Sequence, residues 1–150
     1  MSTVSVENYL KTIYHLQQST DRVFTTSIAK KLNIAPASVT EMLQRLSKQE
    51  LLVYEKYYGV KLLDSGIKRA LKIIRKHRLW EMFLVKHLGF KINEIHEEAE
   101  NFEHIMSNKM ENKIDELLNF PIIDPHGEPI PNKNGIINNS IKIKNRKKIK

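Results

Sequence analysis

Apolar residues recur at helical spacing through most of the first fifty positions, and this periodicity predicts three short helices. The first should run from about Ser5 to Gln17, with a buried side formed by Val6, Tyr9, Leu10, Ile13 and Leu16. Thr25 or Thr26 should cap a second helix, which would bury Ile28, Ala29 and Leu32. The third should begin at Pro36, because a proline at the first helical position lacks only a backbone donor that is unpaired there. It should run to about Gln49 and bury Val39, Met42, Leu43 and Leu46.

The second and third helices are predicted to form a helix-turn-helix. Small side chains at the exposed start of a recognition helix allow it to enter the major groove, while hydroxyl, amide and charged groups reach phosphates and base edges. The candidate DNA contacts are Ser27, Ala35, Pro36, Ala37, Ser38, Thr40, Glu41, Gln44 and Arg45. An ordinary three-helix core with a solvated polar face gives the same pattern, so periodicity alone leaves both interpretations open.

Two β-prone runs follow the third helix and favour the DNA-binding interpretation. Residues 51–54 and 60–63 are separated by Glu55–Gly59, which predicts a hairpin directly after the recognition helix. The sequence therefore predicts a winged helix-turn-helix over residues 1–64. Lys56 on the wing is a further candidate contact to the phosphate backbone.

The middle of the chain has histidines and carboxylates at helical spacing. A long helix should begin at Asp64 or Ser65 and end near Gly89, and another should follow a cap at Asn93. On the first, the candidate ligands four residues apart are His77 and Glu81; on the second, the candidates on one face are His96, Glu100, Glu103 and His104. Nitrogen and oxygen donors in this arrangement fit a divalent cation, although acidic residues at helical spacing also form solvated surfaces.

The distribution of charge separates these two regions. Residues 1–80 carry 14 basic and 6 acidic side chains, residues 81–132 carry 4 and 11, and residues 133–150 carry 7 and 0, which together give the net charge of +8. A cationic block attracts phosphates, whereas an acidic block attracts metal ions or basic partners. The charge pattern therefore predicts DNA binding in the first region and cation binding in the second.

Several functional classes are excluded or disfavoured by composition. The chain has no cysteine, which excludes disulfides, thiolate metal sites and cysteine nucleophiles. His96 and Glu97 begin like the zinc-protease helix, but Glu100 stands where that motif needs its second histidine, so we expect no enzyme of this kind. No apolar run approaches the roughly 18 residues of a membrane span, and no signal peptide is evident, so we expect a cytoplasmic protein.

Separated motifs resemble the diphtheria-toxin-repressor family of metal-dependent transcriptional repressors. They include SVENYLKTIY at 5–14, IAKKL at 28–32, IRKHRL at 74–79, EAENFEHIM at 98–106 and DPHGEPIP at 124–131. The likeness covers about residues 5–131. It implies a mainly α-helical protein with a winged-helix domain and a helical dimerisation and metal-binding domain over residues 65–131. It also implies a homodimer that binds a palindromic operator in double-stranded DNA and represses metal-uptake genes when Mn²⁺ or Fe²⁺ is plentiful.

The same resemblance implies two sets of metal ligands. Those of the family's ancillary site match His77, Glu81 and His96, and those of its regulatory site match Glu100, Glu103 and His104. Glu100 stands where iron-responsive members tend to have cysteine and manganese-responsive members glutamate, and the harder donor set suits Mn²⁺. Asn8 stands where the family supplies a Met or Asp ligand, so its amide oxygen would have to serve.

Two departures from the family pattern support an alternative function. Asn8 is one, and Lys11 is the other, because it stands where the manganese-responsive branch has a carboxylate and an ammonium group cannot bind a cation. The alternative is a winged-helix regulator that no longer responds to metal. Many members also continue into a small β-barrel domain, for which we expect no room before Lys150. Sixteen of the nineteen residues 132–150 are Ile, Lys or Asn, which predicts a flexible basic tail.

Overall fold

The computed structural model describes residues 3–138, which contain six α-helices and one β-hairpin. The helices are α1 (Thr3–Gln17), α2 (Thr25–Leu32), α3 (Pro36–Lys48), α4 (Asp64–Leu88), α5 (Ile95–Phe102) and α6 (Asn108–Leu117), and the strands are β1 (Leu52–Glu55) and β2 (Gly59–Leu62). This confirms the mainly α-helical fold class. The chain divides into two compact units, Met1–Ala70 and Leu71–Lys150.

In the first unit, the three helices pack around one apolar core. The most deeply buried side chains are Leu10, Ile13, Ile28, Val39, Leu43 and Leu46. Asn33 ends α2 in the left-handed conformation, with φ of 55°, and Ile34 donates its backbone N–H to Ala29 O at 3.1 Å. Asparagine tolerates this conformation better than most residues, so the tight turn into α3 follows from the sequence.

The start of α2 differs from the prediction that a threonine caps it. The N-cap position is occupied by Phe24, and no side chain caps the helix there. Thr25 is instead the first helical residue. Pro36 does occupy the start of α3, as predicted.

The wing is a two-stranded antiparallel hairpin with one further bridge. Leu52 pairs with Leu62 and Glu55 with Gly59, one residue away from the predicted bounds of each strand. Val23 and Val60 exchange backbone hydrogen bonds of 3.0 and 2.8 Å, which attaches the wing to the α1–α2 connection. Gly59 has a φ of +99°, and a Cβ atom there would lie 2.8 Å from Val23 O. A glycine is therefore required where the two segments meet.

In the second unit, α4 packs against α6 and the segment that follows it. The buried side chains of this small core are Leu79, Met106, Ile114 and Ile130, and Trp80, Met82, Phe83 and Leu118 pack against them. Arg75 is also buried and joins three parts of the unit: it donates hydrogen bonds to Glu111 and Asp115 of α6 and to Pro131 O at 2.7, 2.9 and 2.9 Å. These contacts hold the segment before residue 132 against α4.

The second predicted ligand helix is shorter than its pattern suggested. A 3₁₀ helix, Ile92–Glu94, precedes α5, so Glu94 rather than Asn93 is the N-cap residue. The helix ends at Phe102, Glu103 is its C-cap, and His104 follows in a turn. The prediction that one helix face carries all four candidate ligands was therefore wrong beyond Phe102.

None of the described helices is long and apolar enough to cross a membrane. The predicted tail begins with a turn in which Asn132 accepts hydrogen bonds from the backbone N–H groups of Asn134 and Ile136. Residues 139–150, on which the rest of that prediction falls, lie outside the described residues.

Candidate functional site

His77 lies at the centre of a buried cluster of carboxylates in the second unit. Its Nε2 atom is 2.6 Å from Glu81 Oε1, and its Nδ1 atom is 2.6 Å from Glu103 Oε2. All three side chains are buried, and Glu103 is 0% exposed. Glu81 is one helical turn from His77 on α4, whereas Glu103 is brought in by the end of α5. A protonated imidazole donates to both carboxylates in this geometry.

The cluster changes the pKa of its members in opposite directions. Burial by itself would lower the pKa of His77, but hydrogen bonds and the negative charges of Glu103 and Glu81 outweigh it and raise the pKa to about 9. Burial would raise the pKa of Glu81, but the hydrogen bond and charge of His77 outweigh it and lower that pKa. Without a metal ion, the His77 proton is thus the positive charge that neutralises these carboxylates near neutral pH.

This leads to a prediction for the stability of the metal-free protein. The pKa of His77 is about 9 in the folded chain, above its ordinary value of 6.5, so its stabilising contribution is complete below pH 6.5. The contribution is lost as the pH rises through about 9, and its size is on the order of 3 kcal/mol. The free energy of unfolding in urea, measured from pH 6 to 9.5 in the presence of a chelator, should fall over this range.

Two substitutions on α4 test the assignment of that pH dependence. His77→Gln should remove most of the pH dependence, whereas His87→Gln, at an exposed histidine of the same helix, should retain it. Equal slopes in the two variants would contradict the assignment to His77.

The same cluster offers ligand atoms for a cation. Two groups have ligand atoms that all lie within 4.8 Å of one another: His77 with Glu81 and His96, and His77 with Glu100 and Glu103. The Nδ1 atom of His77 lies 3.8 Å from Glu100 Oε1, and Nε2 of His96 lies 3.4 Å from the same oxygen. His77 is therefore common to both groups, whereas the family resemblance assigned it to the ancillary set alone.

The remaining predicted ligands, His104 and Asn8, lie outside these two groups. Nε2 of His104 is 3.1 Å from Glu103 Oε1, so it approaches the second group through Glu103. Asn8 lies on α1, in the first unit. Its part in a metal site stays a prediction.

A residue that the sequence analysis did not assign, His126, also reaches the cluster. Its Nε2 atom is 2.8 Å from Glu81 Oε2, so the second oxygen of this buried carboxylate also faces an imidazole nitrogen. Asp124 holds the loop in place by accepting the backbone N–H groups of His126 and Glu128 at 2.9 and 2.8 Å. Burial raises the pKa of the Asp124 carboxyl group. A buried carboxylate whose two oxygens face the imidazole nitrogens of His77 and His126 is a donor set that fits a bound divalent cation.

In the first unit, the candidate DNA contacts form an exposed surface at the start of α3 and on the wing. The exposed ones are Ser27, Ala35, Pro36, Ala37, Ser38, Glu41, Gln44, Arg45 and Lys56, and Thr40 is half-buried. The Thr40 hydroxyl group donates to Pro36 O at 3.2 Å, and Arg45 pairs with Glu41 at 3.3 Å. Gln44 makes no such contact among the described residues, so its amide is available to a base edge.

The cleft between α2 and α3 adds two residues to this surface that the sequence analysis did not assign. Lys30 and Asn33 line it together with Ala35 and Pro36. Lys30 is exposed beside the first turn of α3, where a phosphate group would also meet the positive end of the helix dipole. Helical periodicity placed Lys30 on the polar side of α2 but gave no indication that it lies beside the first turn of α3.

Comparison with known proteins matches both parts of the chain. Residues 1–60 match the family described as "Iron dependent repressor, N-terminal DNA binding domain", and residues 63–132 match "Iron dependent repressor, metal binding and dimerisation domain". The iron-dependent repressor IdeR of Mycobacterium tuberculosis (strain ATCC 25618 / H37Rv) is 34% identical over 127 residues, which are 85% of this chain and 55% of the relative. The HTH-type transcriptional regulator MntR of Bacillus pumilus (strain SAFR-032) is 36% identical over 120 residues, 80% of this chain and 83% of the relative.

A solved structure gives the same result. The structure of a manganese-dependent transcriptional repressor in complex with manganese has a TM-score of 0.82 and 39% identity, and the match covers 89% of this chain and 61% of that one. This chain thus spans about half the length of the mycobacterial relative and most of the length of the Bacillus regulator. The names are those of transcriptional repressors and regulators, not enzymes. The matches confirm the resemblance found in the sequence motifs: the chain belongs to the diphtheria-toxin-repressor family of metal-dependent repressors.

Proposed function

We propose that this protein is a metal-activated transcriptional repressor that controls uptake of manganese or iron. The observation that carries the proposal is the position of His77, buried between Glu81 and Glu103, with two further carboxylate and imidazole ligands within reach. The winged helix of the same chain provides an exposed surface for double-stranded DNA. The relatives support this proposal, because one is named an iron-dependent repressor and the other an HTH-type transcriptional regulator.

The proposed ligands are the side chains around His77 together with the positions taken from the family. They are His77, Glu81, His96, Glu100, Glu103 and His104, with Asn8 of α1 as the amide oxygen donor. When bound, the cation supplies the positive charge that the His77 proton supplies in its absence, so metal and proton compete for this site.

We propose Mn²⁺ as the principal effector. Carboxylate and imidazole donors suit Mn²⁺, and the chain has no cysteine to favour a softer ion. The solved relative in complex with manganese supports this choice, whereas the name of the mycobacterial relative favours iron. Fe²⁺ is therefore the second effector to test.

The active form is proposed to be a homodimer on a palindromic operator. Exposed apolar side chains lie at the end of α5 and the start of α6, among them Phe102, Ile105 and Met110. Apolar surface of this kind is usually covered by a partner, and a twofold dimer matches the symmetry of a palindrome. Because metal and DNA bind the same active form, each should increase the affinity of the other.

The alternative is a regulator of the same fold that ignores metal, and Asn8 and Lys11 are the residues that favour it. A DNA duplex selected from a random pool with Mn²⁺ present separates the two functions. Affinity for that duplex, measured by fluorescence anisotropy, should rise at least about tenfold with Mn²⁺ or Fe²⁺ and return to its starting value with a chelator. Unchanged affinity on chelation would support the alternative.

A further inference from the structure

We propose that the second unit binds a small anion of the phosphate class in a cavity formed by α4, α6 and the turn after residue 131. The cavity has a volume of about 280 Å³. Its lining residues are Lys72, Lys76, Asn108, Glu111, Asn112 and Lys133. Neither the predicted metal ligands nor the predicted DNA contacts are among them, so this site would add a ligand to the proposed function.

Each of the three elements presents donors to the same space. Lys72 and Lys76 are one turn apart on α4, and Asn108 and Asn112 are one turn apart on α6, so each pair lies on one helix face. The two helices thus contribute ammonium and amide groups to the same cavity. A ligand rich in acceptors is the complement of such a lining.

The backbone on either side of Lys133 is held in a hydrogen-bonded turn. The carboxamide oxygen of Asn132 accepts the N–H groups of Asn134 and Ile136 at 2.9 and 3.1 Å, and Gly135 closes the turn with a φ of +73°. A turn held at several points costs little further ordering when a ligand binds. The third ammonium group is therefore carried to the cavity by a well-defined segment.

The positive charges of this cavity are largely uncompensated. Within residues 3–138, neither Lys72 nor Lys133 makes a hydrogen bond or an ion pair, and Lys76 donates only to Met106 O, at 3.0 Å. The acidic member of the lining, Glu111, already pairs with Arg75 at 2.7 Å. Like charges that share a cavity repel one another, and a bound anion relieves that repulsion.

The size and donors of the cavity define the class of ligand. Lysine ammonium groups are common phosphate ligands, and asparagine amides can donate to the remaining oxygens. The volume of about 280 Å³ is at the lower end for small-molecule sites, which fits diphosphate or a phosphate monoester better than a large cofactor. Its three lysines come from the two basic parts of the sequence, residues 1–80 and 133–150, and the fold brings them to one cavity beside α6.

Calorimetric titration of the metal-free protein with inorganic diphosphate tests the proposal. The wild type should bind diphosphate, and the double variant Lys72→Gln/Lys133→Gln should bind it at least about tenfold more weakly, because two of three cationic donors are lost. The matched control is Lys109→Gln/Lys113→Gln, which removes the same charge from exposed positions of α6 outside the cavity and should change affinity less than about twofold.

A second variant keeps the lysines. Asn112→Asp places a negative charge in the cavity with almost no change of volume, and it should also weaken diphosphate binding at least about tenfold. Circular dichroism and thermal unfolding establish that each variant is folded. The proposal is overturned if the wild type does not bind diphosphate, or if both lysine double variants weaken diphosphate binding equally. It is also overturned if Lys72→Gln/Lys133→Gln weakens binding to non-operator duplex DNA but leaves diphosphate affinity unchanged.

Discussion

Glu103→Gln should abolish the Mn²⁺-dependent increase in DNA affinity while leaving the chain folded. Glu103 is fully buried, and its two oxygens lie 2.6 Å from His77 Nδ1 and 3.1 Å from His104 Nε2. Glutamine has nearly the same shape but removes the negative charge and one oxygen ligand. Substitution of groups that only orient a ligand costs about 10- to 100-fold in metal affinity, so loss of this ligand should cost at least about 100-fold.

A matched control for that variant lies on the same helix. Glu97→Gln removes one negative charge from an exposed position of α5 and belongs to neither group of ligand atoms. It should change Mn²⁺ affinity less than about threefold, through screened long-range charge alone. Trp80 is the only tryptophan of the chain and precedes Glu81, so its fluorescence can report metal binding directly.

The two measurements together separate metal binding from DNA binding. The Glu103→Gln variant should lose the Trp80 response and the Mn²⁺-dependent part of DNA affinity together, while its metal-free DNA affinity stays that of the wild type. A normal metal response in this variant would show that the regulatory ligands have been assigned to the wrong residues. A lost Trp80 response with normal metal-dependent DNA binding would place the regulatory ion elsewhere.

The sequence was sufficient to predict the first unit because its information is local. The apolar period of α3 and the position of Pro36 set the recognition helix to within one residue of its end. The hairpin followed from two β-prone runs and Gly59. The predicted cap of α2 was wrong. It relied on the capping preference of Thr25 and Thr26, whereas the helix begins at Thr25 and its N-cap is Phe24.

Helical spacing was less informative for the cluster around His77. It correctly placed His77 and Glu81 one turn apart, since both lie on α4, but it extended α5 through His104. Where a helix ends depends on packing as well as pattern, and the turn after Phe102 changes which groups Glu103 can meet.

Helical spacing could not predict contacts between residues that are far apart in the sequence. His126 is 45 positions from Glu81 along the chain, and only the packing of its loop brings it within 2.8 Å of that carboxylate. The motif DPHGEPIP contributed to the family resemblance, but it gave no indication that the loop returns to α4. The packing that brings this loop back depends on a second buried charge, that of Arg75.

Arg75→Met should destabilise the second unit by about 3–5 kcal/mol, the cost typical of removing one partner from a buried ion pair. Arg75 is 5% exposed, and each of its three guanidinium nitrogens donates a hydrogen bond, to Glu111, Asp115 and Pro131 O. Methionine fills much of the same space but leaves two buried carboxylates without their cation. The unfolding transition of this unit in urea should shift accordingly.

Two further variants distinguish loss of charge pairing from loss of packing. Arg69→Met makes the same substitution at a more exposed position of α4 and should cost less than about 1 kcal/mol. Adding Glu111→Gln and Asp115→Asn to Arg75→Met should recover part of the lost stability, because no buried charge is then left unpaired. If Arg75→Met costs no more than Arg69→Met, the buried network does not stabilise this unit.

The Arg75 variants also bear on metal binding, because Arg75 holds the end of the loop that carries His126, and His126 lies beside Glu81. Arg75 donates to Pro131 O, and Arg78 donates to Pro129 O at 2.6 Å. Both hydrogen bonds thus attach the segment just after His126 to α4. At temperatures where Arg75→Met is still folded, a looser loop should move His126 away from Glu81 and weaken Mn²⁺ binding less than Glu103→Gln does. This order of effects is expected because Glu103 would touch the ion, whereas Arg75 acts only through the position of the loop.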